Sequence, residues 1–365
     1  MASSDFIYTF PSIRGIQAGR AYFVSMCPLY LIPKIFIFNE EELRPELRAQ
    51  RQLNKGRLPE LVRYLTDNLE NYVFSALTAS IDGEVIFEPL GNQGEGNKVG
   101  RLQIPMSARF IINDGQHRRA AIERALKERP ELGDETIAVV FFLDKGLERC
   151  QQMFADLNRY AIRPSRSLGL LYDHRDEFAA LARDLVYRSP VFRDLVELEK
   201  TSLSPRSRRL FTLSSIYSAT SELLVNSGLE NFGDLTEAAI EYWDEVAKNL
   251  KEWSLVQQGK ISAGEVRQDF INTHGVVLQA LGRAGSALLA DYPNSWKPKL
   301  KLLKELDWRR SNLQLWEGRA MIGGRVSKAQ HNILLTSNAI KMHLGLHLSP
   351  EEQRVEDAYN RETDD

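Results

Sequence analysis

The stretch FIINDGQHRRAAIERAL, residues 110–126, constrains the fold more than any other part of the chain. An apolar, strand-like run stops at Asn113-Asp114-Gly115, and an alanine-rich helical pattern starts at once. A strand that feeds straight into a helix is the pattern of an α/β unit. Gln116, His117, Arg118 and Arg119 sit where that helix begins. The first N–H groups of a helix have no partner within it, and the dipole adds partial positive charge, so the position favours an anion. Asp114 is the expected N-cap, and Gly115 permits a tight turn or a close approach to a ligand. On helical spacing Arg118 shares a stripe with Ile122 and Ala125 or Leu126 and faces the sheet, while Arg119 lies with Glu123 on a more exposed face. A buried arginine needs an anionic partner. A bound phosphate and a structural carboxylate both satisfy that need, and the residues alone leave the two open. His117 would donate to a phosphate or carry a proton.

With 365 residues the chain has room for two ordinary domains or one large one. Its formal charge of −2 excludes a global electropositive field, so any DNA contact must come from local patches. Cys27 and Cys150 are the only cysteines and lack a CxxC spacing, which argues against a disulfide framework, a zinc site or an iron–sulfur cluster. The N-terminus shows no basic segment followed by an apolar one, as a secretion signal would. AYFVSMCPLYLIPKIFIFN is broken by Pro28, Pro33 and Lys34, and reads as buried strands, not a membrane span. A cytoplasmic protein with no membrane partner is expected.

Residues 6–38 predict two or three strands, and 40–71 turn helical, with Leu58, Leu61, Val62 and Leu65 on one stripe and Pro59 in the first turn. ALTASIDGEVIFEP predicts a hairpin, because Asp82-Gly83 lies between two alternating runs. GNQGEGNKVG is a glycine-rich loop ahead of a strand and lacks the phosphate-loop pattern. ETIAVVFFLD predicts a strand covered on both faces. GLERCQQMFADLNRY predicts a helix leading into the basic turn AIRPSRS. Beyond 168 nearly everything reads as helix, most clearly 175–188, 211–226, 235–252, 275–291 and 325–343. The expected organisation is an α/β domain over 1–165, an all-helical domain over 166–348 and a short acidic helix or frayed tail over 349–365.

Two basic, serine-rich stretches suit a nucleic-acid backbone, since arginine contacts phosphate bidentately and serine adds neutral donors. One holds Arg159, Arg163 and Arg166; the other holds Lys200, Arg206, Arg208 and Arg209. Tyr160 and Phe211 beside them would stack on bases. His343 and His347 have i, i+4 spacing, but Gly345 interrupts and no third ligand follows, so no metal site is expected. His343 should end a helix instead, and Ser349-Pro350-Glu351-Glu352 should form a capping box that starts the next. That helix pair would also suit a helix-turn-helix, with Lys328, Gln330, Asn332 and Asn338 touching DNA. No Ser/His/Asp set, HExxH or Walker motif is present.

NDGQHRRAA resembles the signature of the DGQHR-domain family, best known through the DndB proteins of DNA phosphorothioation gene clusters. RQLNKGRLPELVRYL, FSALTASIDG and FADLNRYAIRPSRSL are similar to the family's flanking blocks, in order, and GRVSKAQHNILLTSNAIKMHLGLHLSPEE is similar to its C-terminal part. The order of elements also resembles the ParB/sulfiredoxin fold. The implied fold is therefore α+β: a ParB/sulfiredoxin-like N-terminal domain followed by an all-helical C-terminal domain. Carried over, Gly115, His117, Arg118 and Arg119 would form a phosphate turn, joined by Asp114 and Gln116, with Asn158, Arg159 and Arg163 as a second block. Leu157 stands where the ParB block carries Glu, which argues against ParB-style hydrolysis. The resemblance implies a DNA-binding accessory protein that represses its own phosphorothioation genes. It would hold double-stranded promoter DNA through Arg166, Lys200, Arg206, Arg208 and Arg209. A nucleoside triphosphate with magnesium would be its cofactor, and modification proteins or a second copy of the chain further partners. The rival is an NTP-hydrolysing or DNA-nicking enzyme using His117 and Asp156 around a metal-bound nucleotide. A third reading is an assembly partner without DNA contact.

Overall fold

Alternating aromatic and β-branched residues at the N-terminus form an antiparallel hairpin, β1 Ile7–Gln17 and β2 Arg20–Pro28. Ala18 and Gly19 close it, both at positive φ, the backbone a right-twisted two-residue turn requires. The computed structural model describes residues 6–36, 55–143, 147–159 and 164–364. Within it the chain divides into two compact units, 1–162 and 163–365.

In the first unit the hairpin is followed by the short helix α1 Ile32–Ile35, with Pro33 in its first turn, and by α2 Leu58–Thr66. Then come β3 Leu77–Asp82, β4 Ile86–Pro89, β5 Val99–Pro105, β6 Arg109–Asp114, α3 Gln116–Glu128, β7 Thr136–Leu143 and α4 Leu147–Arg159. The strands form one seven-stranded sheet in the order β4-β5-β1-β2-β7-β3-β6, with β3 and β7 parallel. The expected hairpin over 76–89 is not made: β3 lies between β7 and β6, and β4 pairs with β5 at the opposite edge. Neither Asp82 nor Gly83 adopts the positive φ a tight hairpin turn needs. Leu77, Ala79, Ser80 and Ile81 are all fully buried, so β3 is covered on both faces and takes a central position. The glycine-rich loop 91–98 instead joins β4 to β5. β7 buries Ile137, Val139 and Phe141 on one face and half-covers the other.

Val62 and Leu65 of α2 and Ala121, Ile122 and Ala125 of α3 pack with Phe10, Ile112 and Phe141 of the sheet in one core. Side chains alternate across a strand, so Asn113, next to Ile112, faces the other side, where Met153 of α4 meets it.

The second unit contains α5 Arg166–Tyr172, α6 Glu177–Arg188, β8 Val196–Glu197, β9 Phe211–Thr212, α7 Leu213–Leu224, α8 Phe232–Lys248, α9 Lys251–Gln257, α10 Ala263–Asp269 and α11 Gly275–Asp291. It ends with α12 Trp296–Leu300, α13 Leu313–Trp316, β10 Met321–Ile322, β11 Arg325–Val326, α14 Gln330–His343 and α15 Pro350–Asp364. Two two-stranded ladders, β8-β9 and β10-β11, are thus the exceptions to an all-helical unit. α11 is its axis, packed on α7 and α14. A β-carbon on Gly282 would lie 2.1 Å from the Ala219 carbonyl oxygen, so only glycine lets α11 approach α7 this closely.

The acidic C-terminal segment forms α15, Pro350–Asp364. Ser349 and Glu352 form the expected capping box, with Ser349 N–H donating to Glu352 Oε2 at 2.9 Å and Glu352 N–H to Ser349 Oγ at 3.2 Å. α15 then docks through a buried Arg319–Glu356 pair and a Lys341–Glu352 pair at 2.6 Å. Among the described residues no helix is long and apolar enough to cross a membrane.

Candidate functional site

The turn at 113–119 joins β6 to α3 as the sequence predicts, with a different division of labour. Gly115, at φ 108°, is the residue that caps α3, and no side chain caps that helix. Asp114 is not the N-cap; it closes β6, and its Oδ2 accepts from Arg118 Nη2 at 2.7 Å. Arg118 Nη1 also donates to the Ser75 carbonyl at 2.9 Å and to Ser75 Oγ. Arg119 is the more deeply buried arginine, 7% exposed, contrary to its expected exposed face. Its Nε donates to the Phe36 carbonyl at 2.9 Å, Nη2 to the Pro33 carbonyl at 3.1 Å, and Nη1 pairs with Glu123. The end of α1 covers that side of α3, which the helical stripe alone does not reveal. Both arginines therefore have carboxylate partners within the protein.

What remains for a ligand at this turn is polar and neutral. Gln116 Nε2 and Asn113 Oδ1 are buried without a hydrogen-bond partner among the described residues. An orphaned buried group costs about 1–3 kcal/mol, which marks a place for water or a ligand. Asn113 Nδ2 is anchored on Ser80 Oγ at 2.7 Å. His117 is half-buried in the first turn of α3. Asp156, on the exposed side of α4, accepts from Gln152 Nε2 at 2.8 Å. Arg159 is exposed at the end of α4; the Asn158 side chain, Tyr160 and Arg163 lie outside the described residues. We predict that Gly115→Ala destabilises the first unit by about 3 kcal/mol, from a strained φ and an overpacked contact. Its β-carbon would fall 2.4 Å from Leu77 Cδ2. The urea midpoint measures this, and an unchanged midpoint would refute the strain.

Neither cysteine suits sulfur chemistry by a thiolate. Cys27 and Cys150 are both fully buried and outside any disulfide, and burial pushes the Cys27 thiol up to about 12.

The basic stretches meet within the second unit. Ser165 Oγ donates to the Glu199 carbonyl, and Ser167 Oγ donates to the Lys200 carbonyl at 2.9 Å, so the start of α5 is tied to the 199–209 loop. Arg166 is exposed and lies over the Tyr217 ring, 5.7 Å from its centroid. Arg206 and Arg208 are exposed and have no hydrogen bond or ion pair among the described residues. Lys200 is exposed beside them. Arg209 differs: it is half-buried, and its Nη1 donates to the Asp194 carbonyl. Phe211 cannot stack on bases, because it is 1% exposed and packs edge-on against Trp253 at 4.8 Å. The helix-turn-helix assignment also loses two members. Asn332 and Asn338 are buried, and their Nδ2 groups donate to the carbonyls of Arg319 at 2.6 Å and Glu352 at 3.0 Å.

A family model described as DndB, DNA-sulfur modification-associated, matches residues 10–347. The chain belongs to the DndB family. No curated protein and no solved structure matches it. The DndB match runs through both units and contains the 113–119 turn and both basic stretches; α15 begins just beyond it. Family membership associates the chain with DNA sulfur modification.

One feature of this DndB-family chain has no counterpart in the sequence expectations. A cavity of about 390 Å³ opens in the second unit, walled by Thr201–Leu203, the starts of α7 and α11, and Arg267 of α10. Its residues come from separate segments of chain, and the only local signal is Thr273-His274-Gly275 ahead of a long apolar helix.

Proposed function

We propose that this DndB-family chain is a DNA-binding regulator that holds back transcription of its own DNA sulfur-modification genes. The observation that carries this reading is the exposed pair Arg206 and Arg208, whose guanidinium groups have no partner among the described residues, on a segment that hydrogen bonds from Ser165 and Ser167, either side of Arg166, hold at Glu199 and Lys200. Unpaired arginines spaced by serine match a phosphodiester backbone in charge and geometry. Near-neutral overall charge confines the grip to this patch.

In the same proposal the turn at Asp114–Arg119 takes a phosphate or nucleotide. The support is the orphaned Gln116 amide beside the first-turn N–H groups of α3. Arg118 and Arg119 then brace the turn, since Asp114 and Glu123 already neutralise them. A hydrolytic or nicking role for His117 and Asp156 draws no such support, because Asp156 is exposed and turned to Gln152.

Fluorescence anisotropy tests the regulator reading, with a labelled duplex from the promoter of the chain's own gene cluster and a scrambled duplex of equal length, over a salt series. Promoter-selective binding that weakens steeply with salt is expected. A palindromic site would appear as two chains per duplex. Equal and weak binding of both duplexes at every salt would overturn the reading and leave assembly with modification proteins as the role.

A further inference from the structure

The cavity beneath the basic loop has the composition of an anion site. Two helices begin at it: α7, whose Thr212 caps the first turn through Ser215 N–H at 3.3 Å, and α11, whose first turn has no side-chain cap. α11 is 17 residues long; its Val277 N–H donates to the His274 carbonyl at 3.0 Å, and the N–H groups of Gly275 and Val276 have no acceptor among the described residues. Thr273, just ahead of α11, is 4% exposed and lines the cavity, and its hydroxyl has no hydrogen-bond partner among the described residues. That orphaned hydroxyl is independent of the helix termini and lacks a polar partner at the cavity wall.

Positive charge converges on the same place without an acid to balance it. A β-carbon on Gly275 would sit 3.0 Å from both Lys328 Nζ and Ser215 Oγ, so the ammonium and the hydroxyl close on the first residue of α11. Arg267 also lines the cavity, and its two Nη atoms donate to carbonyl oxygens alone, those of Ser204 at 2.7 Å and Ser207 at 3.3 Å with Pro205 and Arg209, which leaves Nε as its donor without a partner among the described residues. Among the described residues no aspartate or glutamate lines the cavity. Three bases around the cavity are held below their usual pKa, and burial is the first cause for each. Burial holds Arg267 below its usual pKa. Burial does the same for His274, with the Arg310 and Arg267 charges adding to it. Burial and then the Arg166 charge depress Lys328.

We propose that this cavity is a phosphate-binding site of the second unit, with Thr273, Ser215, Lys328, Arg267 and the first turn of α11 as its ligating groups. Two sources present that chemistry: a backbone phosphate of DNA lying on the segment that carries Arg206 and Arg208, whose Thr201–Leu203, Pro205 and Leu210 line the cavity, and the phosphate of a free nucleotide. The site stands apart from the regulator reading, which concerns promoter selectivity.

Inorganic phosphate is the probe, read as the shift in thermal midpoint of the full chain against chloride at matched ionic strength. The wild type should gain a midpoint that climbs with the logarithm of phosphate concentration. Thr273→Val, which removes a hydroxyl that has no partner, and Lys328→Gln, in the loop ahead of α14, should each lose most of that gain while keeping the starting midpoint. A wild type unmoved by phosphate, or variants that respond as the wild type does, overturns the proposal. Should Thr273→Val fail to fold, Lys328→Gln decides alone. Adenosine monophosphate and a short scrambled duplex then separate the sources: whichever stabilises the wild type and spares Lys328→Gln is the natural one. Because the duplex is scrambled, the outcome is independent of promoter recognition.

Discussion

Glu356→Ala should destabilise the second unit by about 3–5 kcal/mol, the range for breaking a buried ion pair from one side. The Glu356 side chain is 3% exposed and that of Arg319 is 8%. Both guanidinium Nη atoms donate to the carboxylate, with Nη1 to Oε2 at 2.9 Å, and Nη1 also reaches the Leu335 carbonyl at 3.0 Å. The Tyr359 ring, also on α15, covers the guanidinium at 4.2 Å from its centroid. Removing the carboxylate leaves a full charge buried against an aromatic face with carbonyl contact only, and Asn338 Nδ2 loses its Oε2 contact at 3.2 Å. The pair itself adds little net stability, because two ions had to leave water to form it. The double substitution Arg319→Met with Glu356→Leu should therefore recover most of the loss. Urea midpoints of the three proteins measure the difference. A Glu356→Ala protein within about 1 kcal/mol of wild type would mean that α15 does not hold this position.

What the sequence disclosed, and what it withheld, follow from how far apart the deciding residues lie. The β6-turn-α3 unit is legible because an apolar run and an alanine-rich helix are patterns within seventeen contiguous residues. The capping box at Ser349–Glu352 is legible for the same reason, as is membership of the DndB family, carried by blocks in order along the chain. The partners of the two turn arginines are not legible. Arg119 reaches carbonyls at Phe36 and Pro33, and Arg118 reaches Ser75, none of which helical spacing can indicate. The pairing of β3 fails in the same way: Asp-Gly is a strong local hairpin signal, and a non-local place between β7 and β6 overrides it. The docking of α15 is not legible either, because the cation that anchors it, Arg319, belongs to a different segment. The α11 cavity is least legible, since a threonine hydroxyl becomes informative only once burial shows it has no partner.

The double variant Arg206→Ala/Arg208→Ala should lose at least about tenfold in duplex affinity at low salt and flatten the salt dependence. Each phosphate contact contributes roughly 0.9 to the slope of log affinity against log salt, so two lost contacts lower the slope by about two. The fold should be untouched, because neither side chain has an intramolecular partner among the described residues. Arg209→Ala supplies the contrast: that guanidinium is tethered at Asp194, so its loss should change DNA affinity less and stability more. Replacing Arg206 and Arg208 by lysine preserves the charge and should preserve the slope, with affinity still reduced because the bidentate geometry is gone. Promoter and scrambled duplexes should weaken by the same factor, since contacts to phosphate fix position and carry no sequence information. A loss confined to the promoter duplex would make the loop a reader of bases, and an unchanged slope would remove it from the DNA interface altogether.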